Sequence, residues 1–295
     1  MAPPEFVRAT PLRVHRVSPV ADVAQKSPQG DTRELPILFS APMVRALLDG
    51  TKTQTRRVMK RQKQHAFTDY TLFGQRGHPD DEAARRGGWA QPWVAIEHAP
   101  DWPDGKQDQC HCPYARKRGD RLWVRETHFA FGRWETRYSA KKRRDEWHFV
   151  DMTVECGKTY LYGADHPHPQ PLAGKRDGGV TPKWWKRPAI FMPRAASRID
   201  LEITDLRVQR LQDISEEDAI AEGAQLHDGL GVGHTGYRHD GHDGFVWATA
   251  KASYMRLWEQ INGPDSWTLN PWVWAVTFRR VFAGDSSSIT TKENT

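Results

Sequence analysis

The sequence predicts an α+β protein: a small mixed β-barrel with helices packed at its ends and long loop insertions. Three observations carry that expectation. Segments of strand character outnumber helical ones. They do not alternate strand with helix as a parallel sheet requires. Long stretches without periodicity separate them, as insertions on a core would.

Taken in order, the leader through residue 34 is polar and proline-bearing and reads as a disordered tail. The domain begins at LPILFS (35–40), an apolar run of strand length. A helix follows, because Ser40 suits an N-cap, Pro42 suits a first turn, and Met43, Val44, Leu47 and Leu48 share a helical face. Gly50 supplies its left-handed stop. Residues 52–58 and GDRLWVRET (119–127) read as strands; in the second, Leu122 and Val124 alternate with Trp123 and Arg125. SRIDLEITDLRVQRLQDI (197–214) alternates as two strands joined by a turn near Asp205. Ser215 then caps a short helix with Glu216, Glu217 and Asp218 in its positive first turn and Gly223 as its stop. Tyr254, Leu257, Trp258 and Ile261 mark a helix over about 249–261, ended by Asn262-Gly263-Pro264. WVWAVTFRRV (272–281) is the last strand, and the domain closes at 282. Residues 283–295 lack apolar content and read as a second disordered tail. Insertions are expected at about 60–118, 133–190 and 225–245, which are rich in Gly, Pro, His and cations.

Composition narrows the function classes. Lys and Arg number 43 against 37 Asp and Glu, giving a net charge of +6 and a pI near 9.2, which favours a phosphate-bearing partner without requiring one. Thirteen Trp serve as core bulk or as platforms for bases. Three Cys without a hydrophobic signal segment point to a reducing, cytoplasmic setting, and no apolar run is long enough to span a bilayer.

The stretch GTKTQTRR (50–57) raises the chemical question. It reads either as a solvated polar strand or as a reactive pair beside cations. Neighbouring Arg56 and Arg57, with partial burial, would lower the pKa of Lys52 and leave an amine able to act as a base. Thr55 offers a hydroxyl that becomes a nucleophile only when something removes its proton. In a regular strand Lys52 and Thr55 face opposite sides, so they meet only if Lys52 lies in the turn before the strand. Glu222 could complete the set: an acid in the last turn of its helix opposes the macrodipole, so helix stability does not explain it. Glu126, ending the GDRLWVRE strand, is a second candidate, with an ion pair to an arginine as its plain alternative.

The segments PILFSAPMVRALLDGTKTQTRR, GDRLWVRET, RIDLEITDLRVQRLQDISEEDAIAEG and NPWVWAVTFRRV, in this order, resemble ASCH-domain proteins, particularly the long type carried by phages and prophages. The resemblance implies a PUA-like barrel with a cleft for RNA or nucleotides. Gly50, Lys52 and Arg57 match the family signature, while Thr55 stands where an acid is usual. Lys-Thr-x-Thr also occurs in a compact branch of the family that hydrolyses N(4)-acetylcytidine. By that likeness Thr55 is the nucleophile, Lys52 its activator and Glu222 the proton partner in an amidohydrolase. Gly50, Thr53, Arg56, Arg57, Glu126 and Trp123 are then the substrate-binding set, with Arg57 on phosphate or on developing negative charge. The partner is a modified nucleoside or a nucleic acid, RNA ahead of DNA, with no membrane and no cofactor; the oligomeric state stays open. A noncatalytic RNA- or DNA-binding module and a ribonuclease are the alternatives.

Two further features stand apart. Cys110, His111 and Cys112, with His227, His234, His239 and His242, could supply zinc ligands, but the Cys-x-Cys spacing lacks a paired second half, so no metal is expected. KKRRDE (141–146) and PKWWKRP (182–188) mix cations with aromatics as a nucleic-acid surface does, though solvated charge and a buried Trp explain each alone.

Overall fold

The computed structural model describes residues 32–60, 69–73, 94–98, 108–165, 168–170, 172–176, 179–228, 235–239 and 245–282. The expected tails, up to residue 31 and from 283, lie outside the described residues, as do much of 60–118 and both His234 and His242. The strands in chain order are β1 (Glu34–Leu38), β2 (Gln54–Val58), β3 (Asp69–Phe73), β4 (Val94–His98), β5 (Asp108–His111), β6 (Arg121–Arg125), β7 (His128–Ser139), β8 (Arg144–Asp151), β9 (Leu161–Tyr162), β10 (Lys183–Arg187), β11 (Asp200–Arg210), β12 (Gln225–Asp228), β13 (Thr235–Arg238) and β14 (Trp272–Val281). The helices are α1 (Ala41–Leu48), α2 (Glu216–Ala221) and α3 (Ala250–Asn262).

The most apolar strand organises the rest. β14 is buried along its first five residues, as a strand covered on both faces must be, and it pairs antiparallel with β11 on one side and β2 on the other. The five-stranded sheet runs β1-β6-β11-β14-β2, with β1 and β6 parallel. One face of β14 packs Trp274, Val276 and Phe278 against Leu122, Leu201, Leu206, Val44 and Leu47. The other turns Val273 toward Leu211, Ala219, Tyr254 and Trp258, so α2 and α3 cover that side.

The architecture is α+β, mostly sheet with few helices, but the expected closed barrel does not form among the described residues. β1 and β2 remain the outer strands of an open sheet, and no ladder joins them. Both are only five residues long, and α1 intervenes between them in the chain. A side chain links them instead, with Arg57 Nη2 donating to Leu38 O at 2.6 Å.

The turn expected near Asp205 is a β-bulge within the single strand β11. The register passes from Ile203 opposite Phe278 to Asp205 opposite Thr277, leaving Thr204 as the extra residue. The bulge shifts the buried positions from Leu201 and Ile203 to Leu206, which imitates two strands in the sequence.

The stretches expected to be loops carry strands. β3, β4 and β5 form an antiparallel sheet, β12 and β13 a hairpin, and β10-β7-β8 a further sheet with β9 added to β7. Aromatic pairs hold this last sheet, among them Trp134 with Phe149 at 5.3 Å and Trp134 with Trp185 at 6.0 Å between ring centroids. Arginines interleave with the rings, which hides the apolar alternation a strand normally shows. Cys112 is a core residue, and burial pushes its thiol up to about 12. No helix among the described residues is long and apolar enough to cross a membrane.

Candidate active site

Helix α1 stops where the sequence requires. Gly50 takes φ +76°, a conformation costly to any residue with a Cβ, and turns the chain back toward β2. The connection is fixed by its backbone: Lys52 N donates to Ala46 O at 3.0 Å, Thr53 N to Ala221 O at 2.8 Å, and Phe278 N to Thr53 O at 2.9 Å. Lys52 therefore precedes the strand rather than sitting in it. Thr53 itself is exposed.

Helix α2 is capped as expected, the Ser215 hydroxyl accepting from Asp218 N at 3.1 Å. Glu222 is its C-cap residue. Lys52 reaches that helix end with two bonds from one ammonium: Nζ to Glu222 Oε2 at 2.7 Å and to Glu222 O at 2.8 Å. A cation on the carbonyl end of the helix offsets the mismatch between acid and macrodipole. Lys52 and Glu222 are 2% and 3% exposed. Burial pushes the Lys52 ammonium below the ordinary lysine value, against the opposing charge and hydrogen bond of Glu222.

Strand alternation sorts the rest of the octet. Gln54 and Arg56 lie opposite Thr277 and Ala275, on the face toward α2 and α3. There Arg56 Nη1 donates to Glu222 Oε1 at 3.2 Å and Nη2 to Asp218 Oδ2 at 2.7 Å. Arg207 Nη2 and Gln54 Nε2 also converge on Asp218, at 2.7 and 3.2 Å. Burial acts to raise the Asp218 carboxyl, but the Arg207 hydrogen bond and the Arg56 and Arg207 charges outweigh it and hold the pKa below the ordinary aspartate value. The Arg56 guanidinium also lies 5.9 Å from the Tyr254 ring, whose hydroxyl is pushed well above the usual tyrosine range by burial and by Glu222.

Thr55, 3% exposed, pairs with Val276, and Arg57 with Trp274, so both face the core beneath α1. Arg57 lies 5.2 Å from the Phe39 ring, and the Lys52 ammonium lies 5.9 Å from the same ring. Lys52 thus stands at the open sheet edge, bonded to Glu222 on one side and beside Phe39 on the side that Thr55 faces.

A cavity of about 230 Å³ opens beside this cluster. Its polar lining is Ser40, Glu222, His239 and Gln260, with Met43, Leu257 and Ile261 among its apolar walls. Ser40 makes no capping bond with its side chain although it stands at the N-cap of α1. His239 Nδ1 lies 2.9 Å from the Ser253 hydroxyl, and both residues are buried.

The structure thus joins Lys52, Arg56 and Glu222 directly and sets Thr55 and Arg57 on the adjoining face; of these five, only Glu222 lines the cavity. Glu126 and Trp123 make none of these contacts and are engaged by other arginines. Arg198 holds Glu126 at 2.8 and 3.1 Å and Asp165 at 2.7 and 2.9 Å, while Arg125 stacks 4.6 Å from Trp123. Burial raises the Glu126 carboxyl despite Arg198.

Sequence reasoning did not place Gln54, Asp218 or Arg207 at the site, and it weighed His239 only as a zinc ligand. The i, i+2 spacing of Gln54 and Arg56 was an available signal for a shared face. Asp218 was hidden by its ordinary role in a helix first turn. Compared with known proteins, the chain matches no family model, and neither a curated protein nor a solved structure gives a significant match.

Proposed function

We propose that the protein is an ASCH-type, PUA-like nucleobase-recognising hydrolase that removes an acyl group from a modified nucleoside or base, as in N(4)-acetylcytidine. The observation that carries this reading is the fully buried Lys52–Glu222 pair beside a cavity, with Thr55 three residues beyond Lys52 on the next strand. Burial pushes the Lys52 pKa down, and in this reading its ammonium passes a proton along the 2.7 Å bond to Glu222, leaving a neutral amine beside an acid. The amine takes the proton of the Thr55 hydroxyl as its oxygen attacks the acyl carbon. The acid protonates the departing exocyclic nitrogen, leaving an acyl-threonine and a free amino base. Water then attacks that ester, releasing the carboxylate and restoring the hydroxyl. Among the described residues the buried Nε of Arg57 has no hydrogen-bond partner, which leaves a donor on Thr55's face for the developing oxyanion or a phosphate.

Acetate release from N(4)-acetylcytidine tests the reading. It is expected from the native chain and abolished in Thr55→Ala and Lys52→Met. Failure of the native chain on acylated bases, free or in RNA, refutes it. A second reading, a noncatalytic base-binding module, draws support from one observation: the Lys52 ammonium is already engaged by both oxygen types of Glu222. Base binding unaffected by Thr55→Ala, without turnover, selects it.

A further inference from the structure

The hairpin of β7 and β8 separates its residues sharply by face. Cross-strand pairing puts Trp134 opposite Phe149, Thr136 opposite Trp147 and Tyr138 opposite Asp145, so one face carries Trp134, Phe149, Trp147 and Tyr138. The rings grade from buried to exposed toward the turn: Trp134 is buried, Trp147 is 40% exposed and Tyr138 67% exposed. Arg187, on β10, lies 4.8 and 4.5 Å from the Trp134 and Phe149 rings, and Arg176 lies 4.1 Å from Trp134. The opposite face is laced by ion pairs of Glu135 with Arg133 and Arg137, and of Glu146 with Lys142 and Arg144.

The turn has its own bias. Residues 136–144, TRYSAKKRR, hold five cations and no acid, and Lys141 to Arg144 are all exposed. Asp145 faces Tyr138 and Asp151 sits at the far end of β8, so acids are sparse on the aromatic face and absent from the turn. Arg143 holds φ 51°, a left-handed conformation in which glycine or asparagine is the comfortable choice. A folding requirement alone does not select arginine there.

We infer that this aromatic face and cationic turn form a binding surface for single-stranded nucleic acid, in which Tyr138 and Trp147 stack on bases and Lys141 to Arg144 engage phosphates. Tyr138 and Trp147 are diagonal neighbours across the β7–β8 ladder, a spacing of about 7–8 Å, so they present separate platforms to successive bases. Isolated strands are favoured over duplex because stacking on both rings requires unpaired bases. The surface uses no residue of the Lys52–Glu222 cluster and does not depend on the hydrolase reading.

Fluorescence anisotropy with labelled single-stranded 20-nucleotide RNA and DNA, on the full chain, tests it. Tyr138→Ala and Trp147→Ala each weaken binding by about 5- to 150-fold, and Trp147→Phe, which keeps a ring, restores most of the loss. Replacing Lys141, Lys142, Arg143 and Arg144 by Ala together reduces the slope of log K against log salt by about 1.4 to 2.8, for two to four phosphates. Circular dichroism confirms that each variant is folded. No binding at low salt, equal affinity for duplex, or affinity unchanged in these variants overturns the inference. Binding with this pattern in a chain that releases no acetate overturns the hydrolase and leaves the surface standing.

Discussion

Replacing Lys52 by methionine removes a charge while nearly preserving volume. The ammonium makes two charge-assisted bonds, at 2.7 and 2.8 Å, from a side chain with no solvent exposure. Such bonds contribute about 1.5–3 kcal/mol each. Removing one partner of a buried ion pair costs about 3–5 kcal/mol, because the other charge is left uncompensated. Both routes put Lys52→Met at about 3–5 kcal/mol. Arg56 at 3.2 Å is then the remaining cation on Glu222, a longer contact that cannot replace both bonds.

Glu222→Gln, made separately and with Lys52→Met, turns this into a double-mutant cycle. Once the carboxylate is neutral, loss of the ammonium strands no charge, so the double variant loses less than the two singles together by about 2 kcal/mol or more. Urea unfolding monitored by tryptophan fluorescence reads all four stabilities, with an unchanged slope showing that the same cooperative unit unfolds. A Lys52→Met cost under about 1 kcal/mol, or strict additivity in the cycle, would refute the buried pair.

Four other outcomes are expected. The folded Asp218 pKa is depressed, so the stability it supplies is present above the unfolded value of about 4 and is lost as pH falls through the folded value. Asp218→Asn therefore flattens the fall of the urea midpoint below about pH 4, and an identical fall in both proteins excludes this role. Because the proposed step needs one proton on the Lys52–Glu222 pair, kcat/KM for acetate release falls as pH rises through the Lys52 value, below the ordinary lysine range; activity undiminished up to that range removes the pair as base and acid. A Cβ at Gly132 would run into the Val150 carbonyl oxygen across the β7–β8 ladder, so Gly132→Ala costs about 1–3 kcal/mol and raises amide exchange in β8, and unchanged exchange contradicts the register. Arg143→Gly relieves a left-handed arginine and gains up to about 1 kcal/mol in unfolding free energy while weakening oligonucleotide binding; a loss of stability contradicts the turn geometry.

What the sequence disclosed followed the strength of local signals. Ser215 and the glycines after each helix fixed the helix ends because caps and positive φ depend on residue type. β14 was legible because a fully buried strand is a continuous apolar run. β11 was read as two strands because a one-residue bulge and a turn both reset the buried positions. The β10-β7-β8 sheet was read as loop because its rings pack against guanidinium groups, and a periodicity count scores Arg187 and Arg176 as solvent-facing. Lys52 and Glu222 were legible as unusual residues, one after a helix stop and one against a dipole. Their contact spans 170 positions in the chain, and pairing at that separation has no local signature.

The Lys52 cluster is expensive for a fold that needs only to be stable. Glu222 is acidic at the negative end of its helix, buried, and held by two cations, while Asp218 takes Arg56 and Arg207. Apolar residues of similar volume generally replace such buried ionic groups at no loss of stability, and often with a gain. A cluster retained for rigidity would be expected to close on itself. This one does not: among the described residues the buried Nε atoms of Arg56 and Arg57 have no partner, and Glu222 forms part of a cavity wall. Donors left without partners and a carboxylate in a cavity wall are what a ligand can use and what a structural network avoids. The Lys52→Met, Glu222→Gln double variant separates the two demands. If the cluster serves a ligand, that protein remains folded and loses turnover and base binding together; if it serves the fold, binding survives in whatever fraction remains native.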